Sequence, residues 1–468
     1  MNEPIETCST LFIDPREYTK TVDLPDPASI KIYDTTLRDG EQMPGVALAP
    51  RQKYILAKEL SALGCHIIDL GFPAVTHSER QMLQLMLEGK RKKEIREDLE
   101  LLVMCRAAEP DIDATIEAIE GVGGDLDQVT FLIFTSGSFL HCKYKLGPML
   151  MKREGLNPKD LPQTPPEFFH EANKRMIAEA IGYARSRGVG RIEFGAEDTS
   201  RTPLEHVIDL ARAAIRAGAT RYNFPDTTGS LTPEATRYYC RALRAAFPNV
   251  ELVSHFHNDF DLATINAITG VLNGFTIFTA TVNGIGERAG NAPLHSIVAS
   301  LKYLYGLEIP NFRYDLLWRV RRIVEEMTGI PVQAHEPVIG HNVYSHESGI
   351  HTHGVTIARQ MYEPIPYEEV GGEAKFVYGK HSGSNSLYEL LTRRAPEVGC
   401  IIDRELLSAV LNEIKVMREL RFCQDETTSF IRNYYANLQQ LSISEDEVIE
   451  LAREIGRRVT EDDHCLVT

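Results

Sequence analysis

Eight short runs of β-forming residues alternate with longer stretches of helical periodicity between about residue 30 and residue 310. Segments between the runs, such as Arg51–Leu60, carry apolar residues at helical spacing. Eight strand–helix repeats in about 280 residues are typical of a closed (β/α)8 barrel. The fold class that the sequence predicts is therefore α/β, with eight strands at Ile30–Asp34, Ile67–Gly71, Leu101–Cys105, Val129–Thr135, Arg191–Phe194, Arg221–Phe224, Val250–Phe256 and Thr276–Val282.

An open, doubly wound sheet is the alternative arrangement for alternating strands and helices. Such a sheet usually has a glycine-rich phosphate-binding turn after its first strand, and the residues after Asp34 do not form one. The barrel is therefore the favoured interpretation.

The sequence on either side of the barrel differs in pattern. Residues 1–29 are expected to be an N-terminal arm and 30–310 the catalytic barrel domain. Residues 311–468 are predicted to be helical, with one helix over 311–330 and further amphipathic segments over Glu405–Leu420 and Glu445–Val459.

Charge and cysteine usage exclude several classes of protein. A formal net charge of −16 argues against nucleic-acid partners and against binding to anionic membranes. The sequence lacks both the run of about 18 apolar residues that a membrane span requires and the basic and apolar start of a secretory leader. Its eight cysteines form no Cys-x-x-Cys pair, which is typical of a reduced, cytoplasmic protein.

Metal-binding residue types follow three of the predicted strands. Asp39 comes after the first strand, His255 and His257 lie at the end of the seventh, and Asn291 follows the eighth. His255 and His257 share one face because side chains at i and i+2 of a strand point the same way. First, seventh and eighth strands are neighbours in a closed barrel, so the four groups are expected to converge on a divalent metal, Mn²⁺, Zn²⁺, Mg²⁺ or Fe²⁺.

Further polar residues at the same ends of the strands predict catalysis. A metal with open coordination positions can chelate a 2-oxo acid and polarise its carbonyl group. Arg38 can stabilise the oxygen that gains charge, and Glu197 and Glu287 are candidate bases or orienting groups. Thr227 can either bind a substrate carboxylate or cap the turn that follows it.

A long segment follows the fourth strand. His141–Leu146 leads into a stretch over Gly147–Pro166 that contains several prolines. A segment of this length at the catalytic end of a barrel is a lid, a wall of the substrate pocket, an interface arm or a surface insertion.

Four motifs in this order resemble the 2-isopropylmalate synthase and homocitrate synthase family. They are the Leu37–Val46 segment, His255–Asp259, Asn283–Asn291 and His346–His351, and Arg106-Ala107 with Asp111-Ile112-Asp113 adds to the likeness. The resemblance covers about residues 30–385.

The resemblance implies a Claisen condensation of acetyl-CoA with a 2-oxo acid, followed by thioester hydrolysis, to give a 2-substituted malate. It also implies that Asp39, His255 and His257 bind the divalent metal, with Asn291 as a weaker ligand, and that Arg38 stabilises the enolate and keto oxygens. Further roles are implied for Glu197 and Thr227 at the substrate and for Glu287 on the acetyl-CoA side.

The same resemblance implies a domain-swapped homodimer. His351, in the C-terminal region, would act in acid–base steps at the partner's active site. The leucine-sensing regulatory domain of the long family members is β-rich, whereas the residues after Gly383 predict helices, so leucine feedback through such a domain is not expected.

Several departures from the family pattern concern the expected 2-oxo-acid pocket. Apolar residues at Leu70, Phe139 and Leu140 favour 2-oxoisovalerate or another apolar-tailed 2-oxo acid. The alternative is a homocitrate or citramalate synthase that uses 2-oxoglutarate or pyruvate. His141 and Arg106 are the predicted substrate-binding residues, and Arg106 or Lys143 could supply the charge that 2-oxoglutarate needs.

Two other functions are compatible with a metal site in a barrel. The first is an aldol-type lyase of the same superfamily, although the cysteine-bearing loop of hydroxymethylglutaryl-CoA lyases is missing. The second is a regulator that binds metal and ligand without catalysis. The presence of Arg38 beside the full set of ligands favours the condensing enzyme.

Overall fold

The computed structural model describes residues 13–398 and 401–422 together with residues 430, 433 and 434. The chain forms two compact units. The first contains the described residues up to Met43, then Leu48–Ser345 and Gly354–Lys375. The second contains Pro44–Ala47, His346–His353 and the described residues from Phe376 onwards.

The first unit is built on a closed barrel of eight parallel strands in chain order, in which β1 pairs with both β2 and β8. This closure confirms the predicted (β/α)8 fold and contradicts the open-sheet alternative. Each predicted strand is present, with ends shifted by a few residues. The bounds are β1 (Lys31–Asp34), β2 (Ile67–Asp69), β3 (Glu100–Arg106), β4 (Val129–Ser136), β5 (Ile192–Glu197), β6 (Arg221–Asp226), β7 (Glu251–Phe256) and β8 (Ile277–Ala280).

Helices of the first unit follow the strands and cover the outside of the barrel. Their bounds are α1 (Pro50–Leu63), α2 (His77–Arg91), α3 (Glu109–Glu120), α4 (Phe139–Tyr144), α5 (Gly147–Arg153), α6 (Pro166–Ser186), α7 (Leu204–Ala217), α8 (Pro233–Ala246), α9 (Ala263–Val271), α10 (Leu294–Tyr305) and α11 (Leu317–Thr328). The predicted helix over 311–330 is thus confirmed as α11. The segment Gly147–Pro166 begins with α5, which packs with α4 on α6 through buried Cys142 and Phe169.

Alternation of side chains along the strands separates two apolar cores. Residues that point outward pack against the helices, and a smaller set fills the inside of the barrel: Tyr33, Ile67, Leu102, Met104, Leu132, Val253 and Ile277. Below this layer, at the amino-terminal ends of the strands, Arg221 forms ion pairs with Glu100, Glu193 and Glu251. The barrel is therefore filled from its base, which leaves a cavity at its carboxyl end.

The second unit is helical in the parts that the structure describes. Its elements are α12 (Gly349–Ile357), which begins in this unit, α13 (Ser384–Arg393), α14 (Ala395–Val398) and α15 (Arg404–Phe422). Two short strands, β9 (Ser345–His346) and β10 (Lys375–Phe376), lie where the chain passes between the units. The predicted helix Glu405–Leu420 is confirmed within α15, and Glu445–Val459 lies outside the described residues.

The predicted domain boundaries at residues 29 and 310 stay predictions, and α11 groups with the barrel unit. None of the described helices has both the length and the apolar character of a membrane span.

Candidate active site

One carboxylate and two imidazoles converge at the carboxyl end of the barrel. His255 lies on β7, His257 follows directly after it, and Asp39 lies in the turn after β1. Nε2 of His255 is 3.3 Å from Nε2 of His257 and 3.3 Å from Oδ2 of Asp39. All three residues are at least nine-tenths buried, and among the described residues they are the one group of His, Cys, Asp and Glu side chains with metal-binding spacing.

The charge state of this cluster follows from burial and from its neighbours. Burial lowers the pKa of His255 to about 3 and also lowers the pKa of His257. Burial alone would raise the pKa of Asp39, but neighbouring positive charge, chiefly that of Arg38, lowers it to about 2. At neutral pH the cluster is one carboxylate and two uncharged imidazoles, which is the state in which these groups bind metals.

Unsatisfied lone pairs show that the cluster fits a cation. We assign the Nδ1–H tautomer to His255 because Oγ1 of Thr279 lies 2.8 Å away, and this directs the lone pair of Nε2 towards Asp39. Both carboxylate oxygens of Asp39 are buried, and neither accepts a hydrogen bond of standard geometry from the described residues. Buried polar atoms require a partner, and a divalent ion would satisfy them together.

Asn291 lies next to this cluster. It pairs with His257 in an isolated β-bridge and is 1% exposed. Neither of its amide atoms makes a hydrogen bond of standard geometry to a described residue. The side chain is therefore available as the weaker ligand that the sequence predicts.

Arg38 is oriented by two carboxylates. Its Nε donates a hydrogen bond of 2.7 Å to Oδ2 of Asp69, at the end of β2, and its Nη1 lies 3.2 Å from Oδ2 of Asp39. Asp69 also accepts a hydrogen bond of 3.0 Å from the amide of Gly71 and is fully buried. The guanidinium is thus held at the edge of the cluster with part of its surface towards the cavity.

A cavity of about 330 Å³ opens above the cluster. Arg38, Asp39, His255 and His257 form its polar floor. One side of its wall is apolar and is formed by Phe72, Met104, Leu132 and Phe134, with Gly195 beside them, and the polar residues Gln42 and Asn223 also line the cavity. Phe72 and Phe134 meet edge to face, with ring centroids 5.5 Å apart.

The predicted apolar pocket residues lie elsewhere. Leu70 is buried in the core between the barrel and its helices, since it points outward from β2. Phe139 packs against His170 and His206, and Leu140 is 54% exposed. None of these three residues lines the cavity, because its apolar wall comes from side chains that the barrel directs inward.

Glu197, Thr227 and Glu287 all line the cavity. Glu197 accepts a hydrogen bond of 3.1 Å from Oγ of Ser136 and forms an ion pair with Lys145, which follows α4. Oγ1 of Thr227 accepts a hydrogen bond of 2.8 Å from the amide of Asp198, so this hydroxyl also links the ends of β5 and β6.

Arg106, His141 and His351 are not among the residues that line this cavity. Arg106 is 62% exposed and pairs with Asp111, and Nε2 of His141 lies 3.7 Å from Oδ2 of Asp198. His351 belongs to the second unit, where it is exposed on α12 with its ring 6.4 Å from that of His346. The substrate-binding roles of Arg106 and His141 and the acid–base role of His351 stay predictions.

A second cavity, of about 890 Å³, lies beside the first. Its lining includes Asn258, Gly286 and Gly290 together with the segment Ile330–Pro337. Arg288 lines both cavities, so the loop after β8 separates them.

Sequence reasoning missed several groups at the site. These are Asp69 as the partner of Arg38, Lys145 as the partner of Glu197, Thr279 beneath His255, and Arg288. Asp69 and Thr279 both lie in predicted strands. Asp69 is a polar residue near the carboxyl end of its predicted strand, and that position alone could have identified it as a site residue. The pairing of Lys145 depends on the fold of the segment after β4, for which the sequence carries no signal.

Two family models and several named synthases match this chain. The HMGL-like family matches residues 29–152 and 169–324, and the homocitrate synthase post-HMGL domain-like family matches residues 338–421. A protein named probable 2-isopropylmalate synthase from Ignicoccus hospitalis is 37% identical, over 84% of this chain and 89% of its own length. The homocitrate synthase AksA of Methanothermobacter thermautotrophicus is 36% identical, over 89% of this chain and 95% of its own.

Among solved structures, the HMG-CoA lyase of Bacillus subtilis is similar with a TM-score of 0.49 and 21% identity, over 67% of this chain and 98% of that one. The two synthase activities named above are acyl transfers in which acetyl-CoA condenses with a 2-oxo acid. The matched family regions and the extent of the two synthase alignments confirm the predicted resemblance: this chain belongs to the 2-isopropylmalate synthase and homocitrate synthase family of acyltransferases.

Proposed function

We propose that the protein condenses acetyl-CoA with an apolar-tailed 2-oxo acid and hydrolyses the thioester, giving a 2-substituted malate. The observation that carries this proposal is the convergence of Asp39, His255 and His257 beneath a cavity that Arg38 and an apolar wall complete. A divalent ion bound by these three residues, with Asn291 beside them, would act as a Lewis acid towards the 2-oxo acid.

The remaining groups of the cavity have roles that follow from their charge. Arg38, fixed by Asp69, would stabilise negative charge on the enolate and keto oxygens as it develops. Glu197 and Glu287 would move or orient protons at the cavity wall. Thr227 would donate its hydroxyl hydrogen to the substrate, because its Oγ1 already accepts from Asp198.

The two neighbouring cavities suit the two substrates. The smaller one contains the candidate metal ligands and takes the 2-oxo acid. The larger one, at about 890 Å³, has room for part of acetyl-CoA and shares the loop that carries Glu287. This arrangement would bring the acetyl group to the carbonyl where the two cavities meet, beside Arg288.

The wall of the smaller cavity favours an apolar tail. Phe72, Met104, Leu132 and Phe134 offer no hydrogen bond to a second carboxylate, and burying one there without a partner is unfavourable. Arg38 and Arg288, which also line the cavity, are each paired with carboxylates. These features support 2-oxoisovalerate or a similar substrate over 2-oxoglutarate.

We also propose that the protein is a cytoplasmic homodimer in which His351 serves the partner's active site. The exposure of His351 on α12 supports this arrangement. Analytical ultracentrifugation, together with activity from a mixture of His351→Ala and Asp39→Ala chains, tests it: shared sites would restore activity to the mixture.

Release of free CoA from acetyl-CoA tests the reaction. We expect turnover with 2-oxoisovalerate and 4-methyl-2-oxopentanoate above that with pyruvate, 2-oxoglutarate or oxaloacetate, and loss of turnover in His255→Ala. No release with any 2-oxo acid in the metal-supplemented protein, or full activity of His255→Ala, would contradict the proposal. Preference for 2-oxoglutarate would contradict the proposal that the substrate has an apolar tail.

A further inference from the structure

Arg288 has an unusual backbone conformation at the junction of the two cavities. Its φ angle is 54°, in the left-handed region that side chains other than glycine rarely adopt. A residue held in such a conformation requires support from its surroundings and often lies at a functional site. The support here comes from its own side chain.

The guanidinium of Arg288 makes three hydrogen bonds to two other loops. Nε and Nη2 donate to the two carboxylate oxygens of Asp259, each at 2.8 Å, and Nη2 also donates to the carbonyl oxygen of Thr227 at 2.7 Å. Gly229 makes room for this arrangement, since a Cβ atom there would lie 2.8 Å from Oδ2 of Asp259. The loops after β6, β7 and β8 are thus joined at one side chain.

Residues on either side of Arg288 face different cavities. Glu287 lines the cavity above the Asp39–His255–His257 cluster, whereas Gly286, Ala289 and Gly290 line the larger one. The backbone secures the far end of the loop, because the amide of Asn258 donates to the carbonyl of Gly290 at 2.9 Å. The direction of Glu287 therefore depends on how Arg288 is held.

We propose that the Arg288–Asp259 pair is a positioning device that directs the Glu287 carboxylate towards the reacting groups. This inference rests on the proposed function, since it assigns Glu287 a place between the 2-oxo acid and the acetyl group. Neither Arg288 nor Asp259 needs to touch a reacting atom in this role. A small displacement of a catalytic group can reduce a rate on the order of 100-fold.

A double-mutant cycle measures this coupling. Arg288→Lys retains the charge but not the bidentate hydrogen bonds to Asp259. Arg288→Gly retains the left-handed backbone conformation without the side chain. We expect both, and Asp259→Asn, to lower kcat on the order of 10- to 100-fold with little change in KM for the 2-oxo acid. In a Glu287→Gln background, where the directed group is already lost, Arg288→Lys should lower kcat by no more than about twofold.

Hydrogen exchange gives a reading that does not need turnover. Amides of residues 283–292 should exchange faster in Arg288→Lys and Arg288→Gly than in the wild type, while the barrel strands keep their protection. The control is Arg319→Lys, which removes a similar two-pronged pair between α11 and Glu59 on α1, and which should change neither measurement.

Equal losses from Arg288→Lys in the wild-type and Glu287→Gln backgrounds would overturn the inference, because the pair would then act independently of Glu287. Unchanged exchange over residues 283–292 would overturn it as well. Failure of the wild type to release CoA with any 2-oxo acid would instead contradict the proposed function, and the exchange experiment would still test the pair.

Discussion

Nε of Arg38 donates a 2.7 Å hydrogen bond to Oδ2 of Asp69, a carboxylate that is fully buried at the end of β2. The buried carboxylate of Asp69 cannot turn to water, so it holds the guanidinium of Arg38 in one orientation at the edge of the cavity. The pairing sets the orientation of the guanidinium, whose Nη1 lies 3.2 Å from Asp39. Asp69 is therefore part of the candidate site although it does not line the cavity.

Asp69→Asn is expected to lower kcat by about 10- to 100-fold, as outer partners of active-site groups typically do. Asparagine has the same shape and can still accept from the amide of Gly71, but its NH₂ group would face the Nε–H of Arg38. Steady-state CoA release measures the loss. Asp315→Asn, at an exposed pair with Arg313, is the control and should be active; a fully active Asp69→Asn would contradict the role given to Arg38.

The sequence predicted those parts of the site that follow from the strand period and from closure of the barrel. A strand period of two places His255 and His257 on one face, and barrel closure brings Asp39 and Asn291 beside them. The pairing of Arg38 with Asp69 depends on the register of β1 against β2, which no local pattern encodes.

The apolar wall escaped prediction for a related reason. Met104, Leu132 and Phe134 lie in strands that are apolar on both faces, because the helices cover one face and the barrel interior the other. Which face points inward is decided by the pairing of all eight strands. Phe139 and Leu140, at the start of α4, do not line the cavity, although their apolar character favoured an apolar-tailed substrate.

Removing divalent metal is expected to lower both activity and thermal stability. The oxygens of Asp39 are buried and accept no hydrogen bond of standard geometry from the described residues, so a bound ion would stabilise the folded state by satisfying them. Differential scanning calorimetry before and after treatment with a chelator measures the change in Tm, and adding Mn²⁺ or Zn²⁺ should reverse it. The His255→Ala/His257→Ala protein should show no such response; a response as large as that of the wild type would place the ion elsewhere.

Gly195→Val is expected to narrow the cavity and shift its preference towards short tails. A Cβ atom at Gly195 would lie 3.3 Å from Cδ1 of Leu132, so the larger side chain must take up space in the cavity. Because each excluded methylene group costs about 1–3 kcal/mol of discrimination, kcat/KM for 4-methyl-2-oxopentanoate should fall by about 10-fold or more relative to pyruvate. Gly182→Ala on α6, where a Cβ atom meets open space, is the control. If Gly195→Val leaves the ratio of the two kcat/KM values unchanged, Gly195 does not line the part of the cavity that binds the substrate tail.

Asp34→Asn is expected to change how stability varies with pH. Burial raises the pKa of Asp34 to about 7, although Thr36 donates two hydrogen bonds that oppose the increase. The folded state therefore keeps the proton where the unfolded chain, with a pKa of about 3.9, has lost it. Stability due to this group falls as pH rises from about 4 to about 7 and then levels off.

Asp34→Asn cannot bind this proton, so its free energy of unfolding lacks the fall between about pH 4 and pH 7. Relative to the wild type, its stability should therefore increase over this range by a few kcal/mol, at about 1.4 kcal/mol per pKa unit. Urea unfolding of both proteins at intervals from pH 4 to pH 8 measures the difference. Glu193, whose pKa burial also raises to about 7, is present in both proteins, so its effect cancels. A difference that does not vary with pH would show that Asp34 is ionised throughout.

Lys53→Met is expected to destabilise the fold far more than a matched change five residues away on the same helix. Nζ of Lys53 is almost completely buried and lies 2.6 Å from both Glu41 and Glu79. Its loss leaves the largely buried Glu79 without a cation, which typically costs about 3–5 kcal/mol. Lys58, whose Nζ is 3.9 Å from Glu94 and 41% exposed, is the control, and Lys58→Met should cost less than about 1 kcal/mol.

The same ion network supports the substrate pocket, because Glu79 accepts a hydrogen bond of 3.1 Å from the amide of Phe72 in the apolar wall. Urea unfolding measures the free energies, and the double variant Lys53→Met/Glu79→Gln should recover part of the loss by removing the unpaired charge. Equal stability of Lys53→Met and Lys58→Met would show that the buried carboxylates are neutral or reach water. Because Phe72 lies in the cavity wall, Lys53→Met should also raise KM for the 2-oxo acid. If the double variant regains stability but keeps the raised KM, the electrostatic role of Lys53 is separate from the placement of Phe72.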